Sequence, residues 1–213
     1  MIKTQNKYLL NKRLEVLKLA KIIVAEKDLT SDILKIISKT YKLDENEVNI
    51  LFPKGNNDLI KFALDNLNEQ LEDYCKNIDL IRLPTHKRVK KILLSKIELM
   101  NKDKKFYKKI FLKILIPQKQ INLPSQLYKS IDRIWYIAGD TSVDFNFYTK
   151  RLILASIYTR IILFFFNNDD QNKLEKILDA YFKSVSKIPK IKSKIDIFKN
   201  NFPNILNFIK NFN

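Results

Sequence analysis

The chain has 213 residues and 46% hydrophobic content, enough for one sizeable core or for a small module joined to a larger one. Two glycines and six prolines are too few for a turn-rich β protein or a glycine-cradled nucleotide site, and a single cysteine, Cys75, excludes an internal disulfide. The formal charge of +17 points to an anionic partner but is unevenly spread: residues 1–25 carry +5, 26–81 carry −5, 82–119 carry +11 and 120–213 carry +6.

Apolar residues recur at helical spacing almost throughout. Leu9, Leu10, Leu14, Leu17, Ile22 and Val24 mark a first helix; after "AEKDLTSD", with Thr30 or Ser31 as cap, Ile33, Leu34, Ile36 and Ile37 mark a second. "YKLDENEVNILFPKGNND" reads as turn, very short helix, turn, and Asn57 or Asp58 then caps a long helix to about Lys76. Two helices follow between Pro84 and Ile116, then a loop flanked by Pro117 and Pro124. A helix holding Leu127, Ile131, Ile134, Trp135 and Ala138 ends at Gly139. An apolar helix from about Ser142 to Phe166 and another from Asp170 to Lys187 follow, before a tail set off by Pro189. This is an all-α chain of about ten helices.

The first three helices and the start of the fourth have helix-turn-helix proportions, and "DILKIISKTYKLDENEVNILFPKGNNDLIKF" resembles the tetracycline-repressor family. That resemblance implies a DNA-binding regulator, and local charge opposes it. Duplex phosphates lie about 1.7 Å apart per charge along the axis, and Lys and Arg supply most of the affinity. The reading helix here, "LDENEVNI", offers Asp44, Glu45 and Glu47 and no cation, within the segment of net −5. Asn46 and Asn49 could read bases, but no group would hold the helix against the phosphates.

Residues able to carry chemistry are sparse. In "GDTSVDFN", Asp140 and Asp144 sit four apart, but "TSVD" also matches a capping box, with Thr141 or Ser142 accepting a backbone N–H and Asp144 favouring the positive helix end. His86 and Cys75 each stand alone, without the three or four ligands of a metal site or the base a thiolate nucleophile needs. No catalytic residue and no metal site is therefore expected, nor any enzymatic activity. The basic stretch "RLPTHKRVKKILLSK…KDKKFYKKIFLK" reads as the solvated faces of two amphipathic helices, or else as a surface for RNA or anionic lipid. In the tail, Phe198, Phe202, Ile205, Leu206, Ile209 and Phe212 form an apolar stripe flanked by lysine. An interfacial membrane helix has this pattern, each lysine adding about 1 kcal/mol near anionic headgroups; a helix docked on its own domain or a dimer mate has it too.

The stretch "IWYIAGDTSVDFNFYTKRLILASIYTRIILFF" closely resembles the signature of the Coq-nine family, accessory proteins of ubiquinone (coenzyme Q) biosynthesis, supported by "LFPKGNNDLI" and "LEKILDAYFKSVSKIPKIK". The resemblance implies a repressor-like fold that has lost DNA binding. It implies no cofactor beyond a bound isoprenoid quinone intermediate or other lipid, presented to the demethoxyubiquinone hydroxylase. The partner-docking patch would comprise Asp144, Asn146, Phe147, Tyr148 and Arg151, with Phe147 standing where some relatives have Trp. Periodicity supplies the candidate lipid pocket: Trp135, Leu154, Ile157, Tyr158 and Ile161, with Phe111 and Leu115 opposite.

The expected organisation is a helix-turn-helix-like module over 1–55, a helical lipid-binding domain over 56–188 and an amphipathic helix over 189–213. Expected partners are a polyprenyl lipid, the hydroxylase, an anionic membrane surface and a second copy of the chain, with no nucleic acid. The start, "MIKTQNKYLLNKRLEVL", has neither a signal nor a transit pattern, so a cytoplasmic protein peripheral to the inner face of a bacterial membrane is expected. A repressor-type regulator sensing a hydrophobic ligand is the alternative.

Overall fold

A computed structural model describes residues 2–27, 29, 33–115, 123–142 and 145–186. Among them every regular element is an α-helix, and the chain divides into two compact units, Met1–Val143 and Asp144–Asn213.

The first unit contains α1 (Ile2–Glu26), α2 (Ile33–Tyr41), α3 (Glu45–Leu51), α4 (Asn56–Lys76), α5 (Thr85–Asn101), α6 (Lys104–Leu115) and α7 (Leu123–Ile137). Helices α1, α2 and α3 pack on one another, α6 returns against α1, and α4, α5 and α7 form a second cluster joined to α6 through α5. The core follows the apolar stripes: Val16, Leu17 and Val24 of α1, Ile33 and Ile37 of α2, Leu59, Leu67 and Leu71 of α4, Ile92 and Leu93 of α5, Ile110 of α6 and Ile134 of α7 are all buried.

The helix starts differ in detail from the sequence reading. Thr30 and Ser31 lie outside the described residues. Asp44 caps α3 from an extended backbone, its Oδ1 accepting from Asn46 N–H at 2.9 Å. Gly55, at φ +59°, takes the N-cap of α4, a conformation an L side chain resists, so neither Asn57 nor Asp58 fills that role. Asp58 lies in the first turn instead, and its carboxylate accepts from Lys54 N–H at 2.7 Å. On α3, Val48 and Leu51 point inward while Glu45, Asn46, Asn49 and Ile50 face water, so the outward side of the short helix carries acid and no cation.

Gly139 ends α7 as expected, at φ +76°. Asp140 N–H donates to Trp135 O at 3.0 Å and Gly139 N–H to Tyr136 O at 2.9 Å, the paired bonds of a Schellman motif. The Arg88 guanidinium completes this helix end, with Nη1 donating to Ala138 O at 2.7 Å, Nε to Leu83 O at 3.2 Å and Nη2 to Ile81 O at 3.4 Å.

Part of the basic stretch 82–119 is spent in the same way, while Arg82, Lys87, Lys91, Lys102 and Lys105 lie on the solvated face that the periodicity suggests. Lys109 Nζ donates to Lys27 O at 2.8 Å and Lys113 Nζ to Leu29 O at 3.2 Å, just beyond the end of α1. Helix C-termini leave carbonyls unsatisfied at the negative end of the dipole, and long cations reach them. Lys96 goes further inside: it is 1% exposed and donates to buried Asn68 Oδ1 at 2.6 Å, and burial pushes its ammonium down to about 7.

The second unit contains α8 (Phe145–Asn167) packed against α9 (Gln171–Ser186). Ser142 is outside the helix, residues 143 and 144 lie outside the described residues, and α8 is described from Phe145. The asparagines at its end, Asn167 and Asn168, donate to Leu163 O and Phe164 O, and Asp170 Oδ1 accepts from Lys173 N–H at 2.9 Å, opening α9. Residues 187–213, including the stripe Phe198, Phe202, Ile205, Leu206, Ile209 and Phe212, lie outside the described residues.

Candidate functional site

Helix α8 is apolar on more than one side because between Arg151 and its end its sequence carries a single charge, Arg160. Leu154, Ile157, Tyr158, Ile161, Ile162 and Phe165 are buried at three- and four-residue spacing. Arg160 lies on the exposed side with its guanidinium 5.6 Å from the Tyr181 ring of α9, so the one charge in the run needs no buried partner. Of the candidate pocket residues, Leu154, Ile157, Tyr158 and Ile161 therefore share the buried side of one helix. Phe111 and Trp135 belong to the first unit and are half-buried there; the side chain of Leu115 lies outside the described residues.

The first turns of α8 hold the candidate docking group. The Phe147 and Tyr148 rings meet edge to face with centroids 5.1 Å apart, and Tyr148 is 36% exposed. Arg151 is buried. Its Nη1 donates to Phe147 O at 3.3 Å and its guanidinium lies 3.3 Å from the Phe147 ring centroid. One face of Phe147 is thus covered by a cation from the following turn, which fixes the ring that in turn abuts Tyr148. Asp144 and the side chain of Asn146 lie outside the described residues, which leaves the expected capping by Asp144 there as well. Ser142 Oγ donates to Asp140 Oδ1 at 2.8 Å, so this hydroxyl is engaged with the preceding carboxylate.

No three His, Cys, Asp or Glu side chains gather among the described residues. Cys75 is in the core of α4, where burial pushes its thiol up to about 11 and keeps it protonated at neutral pH. None of the described helices is long and apolar enough to cross a membrane.

One concave feature escaped the sequence reading. A cleft of about 270 Å³ opens in the first unit, lined by Arg13, Leu51, Pro53, Asp58, Lys61, Phe62 and Asp65. The Arg13 guanidinium lies 4.2 Å from the Phe62 ring and 5.0 Å from Phe52, held on two aromatic faces. The candidate pocket residues do not line it. Nothing in local periodicity marks Arg13, because its two ring partners are some forty and fifty residues away.

The chain is similar to known proteins in sequence over its last described helices and in fold over most of its length. Residues 122–189, spanning α7 to α9, match the COQ9 family model. The chain is 30% identical over 82 residues to the probable ubiquinone biosynthesis protein coq9, mitochondrial, of Dictyostelium discoideum, covering 38% of this chain and 27% of that protein. It is 38% identical over 71 residues to the ubiquinone biosynthesis protein COQ9, mitochondrial, of Rattus norvegicus, covering 31% and 22%, and 50% identical over 40 residues to the human protein of that name, covering 17% and 13%. The matched stretch thus spans about a quarter or less of the length of these relatives. The fold is similar to a TetR transcriptional regulator from Nitrosomonas europaea, with a TM-score of 0.67 at 12% identity, covering 83% of this chain and 98% of that one. At that identity the likeness concerns the fold alone. The α7–α9 segment of the chain is thus similar to the COQ9 family, and the fold that carries it is tetracycline-repressor-like.

Proposed function

We propose that the chain is a non-catalytic accessory protein of ubiquinone biosynthesis that holds a polyprenyl quinone intermediate and offers it to the demethoxyubiquinone hydroxylase at an anionic membrane surface. The observation that carries this reading is the family match over 122–189, because it falls on the helices that hold the aromatic-arginine group and the apolar run. A polyprenyl chain costs about 0.8 kcal/mol per CH₂ to expose to water, so an apolar side of α8 offered to it removes a large penalty. Tyr148 contacts the hydroxylase, and Arg151, buried against Phe147, orients the aromatic pair. In this reading the place of action is the inner face of a bacterial cytoplasmic membrane, whereas the relatives that the chain resembles are named mitochondrial. The tail stripe from Phe198 to Phe212 attaches the protein there, and two copies form the working unit.

Native mass spectrometry with lipid extraction, on protein from a quinone-producing host, tests the reading directly. A co-purifying polyprenyl phenol or quinone supports it, and an empty protein or one holding only bulk phospholipid refutes it. Tyr148→Ala is expected to abolish co-purification of the hydroxylase, and retention would mean the docking patch is elsewhere. Phe202→Glu with Ile209→Glu is expected to release the chain from anionic liposomes. Steeply salt-dependent binding to duplex DNA would favour the regulator instead.

A further inference from the structure

The connector between α4 and α5 turns a β-branched side chain into water and holds it there. Leu80 is buried, and the next residue, Ile81, is 88% exposed. The backbone around it is tied down: Leu80 N–H donates to Ile78 O at 2.8 Å, Leu83 N–H to Leu80 O at 3.1 Å, and Arg88 holds both Ile81 O and Leu83 O. The exposure of Ile81 is therefore built into an ordered turn.

The charge that follows this tip in the chain has one sign. Residues 81–91 contain five Lys and Arg and no Asp or Glu. Arg88 is committed to carbonyls, and Arg82 pairs with Asp79 at 3.1 Å. His86, Lys87 and Lys91 are exposed, and Lys87 and Lys91, one turn apart on the side of α5 opposite buried Val89, Ile92 and Leu93, carry no ion pair among the described residues. The nearby carboxylate Asp73 is paired with Lys76 at 2.8 Å. A projecting aliphatic residue, tied through Arg88 to the first turns of a helix that exposes Lys87 and Lys91, is complementary to headgroup phosphates above acyl chains.

We propose that the Ile81 tip and the outer face of the first turns of α5 form a contact site for an anionic lipid bilayer, with Ile81 entering the interface and Lys87 and Lys91 meeting the headgroup phosphates. The proposal shares only the membrane with the function above and rests on other residues than the tail or α8. A nucleic acid would engage the lysines but gain nothing from Ile81.

The test is co-sedimentation of the full chain with phosphatidylcholine vesicles, with and without phosphatidylglycerol. Binding is expected only with the anionic lipid. Lys87→Gln with Lys91→Gln is expected to weaken it roughly thirtyfold, and Ile81→Ser about tenfold. All three positions are exposed, so thermal melts should not move, and a melt that does is checked with Ile81→Thr. Unchanged binding of either variant overturns the proposal, as does a wild type that ignores anionic vesicles. Loss with the lysine changes but not with Ile81→Ser overturns it in favour of a purely electrostatic partner such as RNA. A chain that binds vesicles through this tip but carries no quinone leaves the site standing and refutes the quinone reading separately.

Discussion

Lys96 offers the most direct test of how this core is built. It lies in α5, enclosed where α4 and α5 pack, and burial takes its pKa from the usual 10.5 to about 7. One pKa unit corresponds to about 1.4 kcal/mol, so a fall of about 3.5 units places an upper bound of ~5 kcal/mol on the cost of keeping the ammonium charged inside. The sign follows from proton counting. Between pH 7 and 10.5 the unfolded chain binds the proton and the folded chain releases it, so unfolding free energy rises with pH across that window. The full penalty stands below pH 7 and is gone above 10.5.

Lys96→Met removes the titration and nearly preserves the volume. Urea unfolding of both proteins at pH 7 and pH 9.5 gives the comparison, with shared groups cancelling in the difference. Wild type should gain ~3 kcal/mol on the variant between these two pH values. The absolute effect of the substitution is a separate matter, since it also deprives buried Asn68 Oδ1 of its donor. Parallel pH dependence of the two proteins would show that Lys96 keeps its proton throughout, and would refute the reasoning.

Other consequences are simpler. Lys42 holds φ +54° where α2 ends, with Leu43 N–H donating to Ser38 O; Lys42→Gly should stabilise by about 0.5–1 kcal/mol, read as a higher Tm. Gly139→Ala places a Cβ 3.3 Å from Arg88 Nη1 at φ +76° and should cost about 1–2 kcal/mol in chemical unfolding, less when Arg88 is also removed. Cys75 should react with a thiol reagent at pH 7.5 only after denaturant is added, and prompt labelling of the native chain would contradict its burial.

The helices were legible because nearly every buried position repeats at three or four residues, a local signal. Gly139 was legible for the same reason: a helix end needs its own backbone and one residue free to take positive φ. What escaped depends on distant pairs. Arg88 reads as one more cation in "THKRVKK" until Ala138 O comes within 2.7 Å, and Lys96 reads as surface until Asn68 is placed beside it. The shift of the α4 cap from Asn57 or Asp58 to Gly55 is a boundary effect, two nearby groups competing for one role. Of the candidate site, the signature at Phe147 to Arg151 was legible as a resemblance. The inward turn of Arg151 onto Phe147 was not, because sequence gives the one-turn spacing without saying whether the guanidinium goes to water or to the ring.

The Arg88–Ala138 bond spans fifty residues of chain. During synthesis α5 leaves the ribosome well before Ala138 exists, so Arg88 Nη1 must wait in water while α6 and α7 are made, although Nε and Nη2 can already hold Leu83 O and Ile81 O of the α4–α5 connector. The α4–α5 hairpin is then the part of the first unit that can form early, and its final tie arrives only as the peptide past Gly139 emerges. A nascent chain stalled before that point would carry α1–α6 with the connector already held by Arg88 and only Nη1 lacking its acceptor. The tie between the connector's arginine and α7 is thereby linked to the appearance of the segment that bears the family signature.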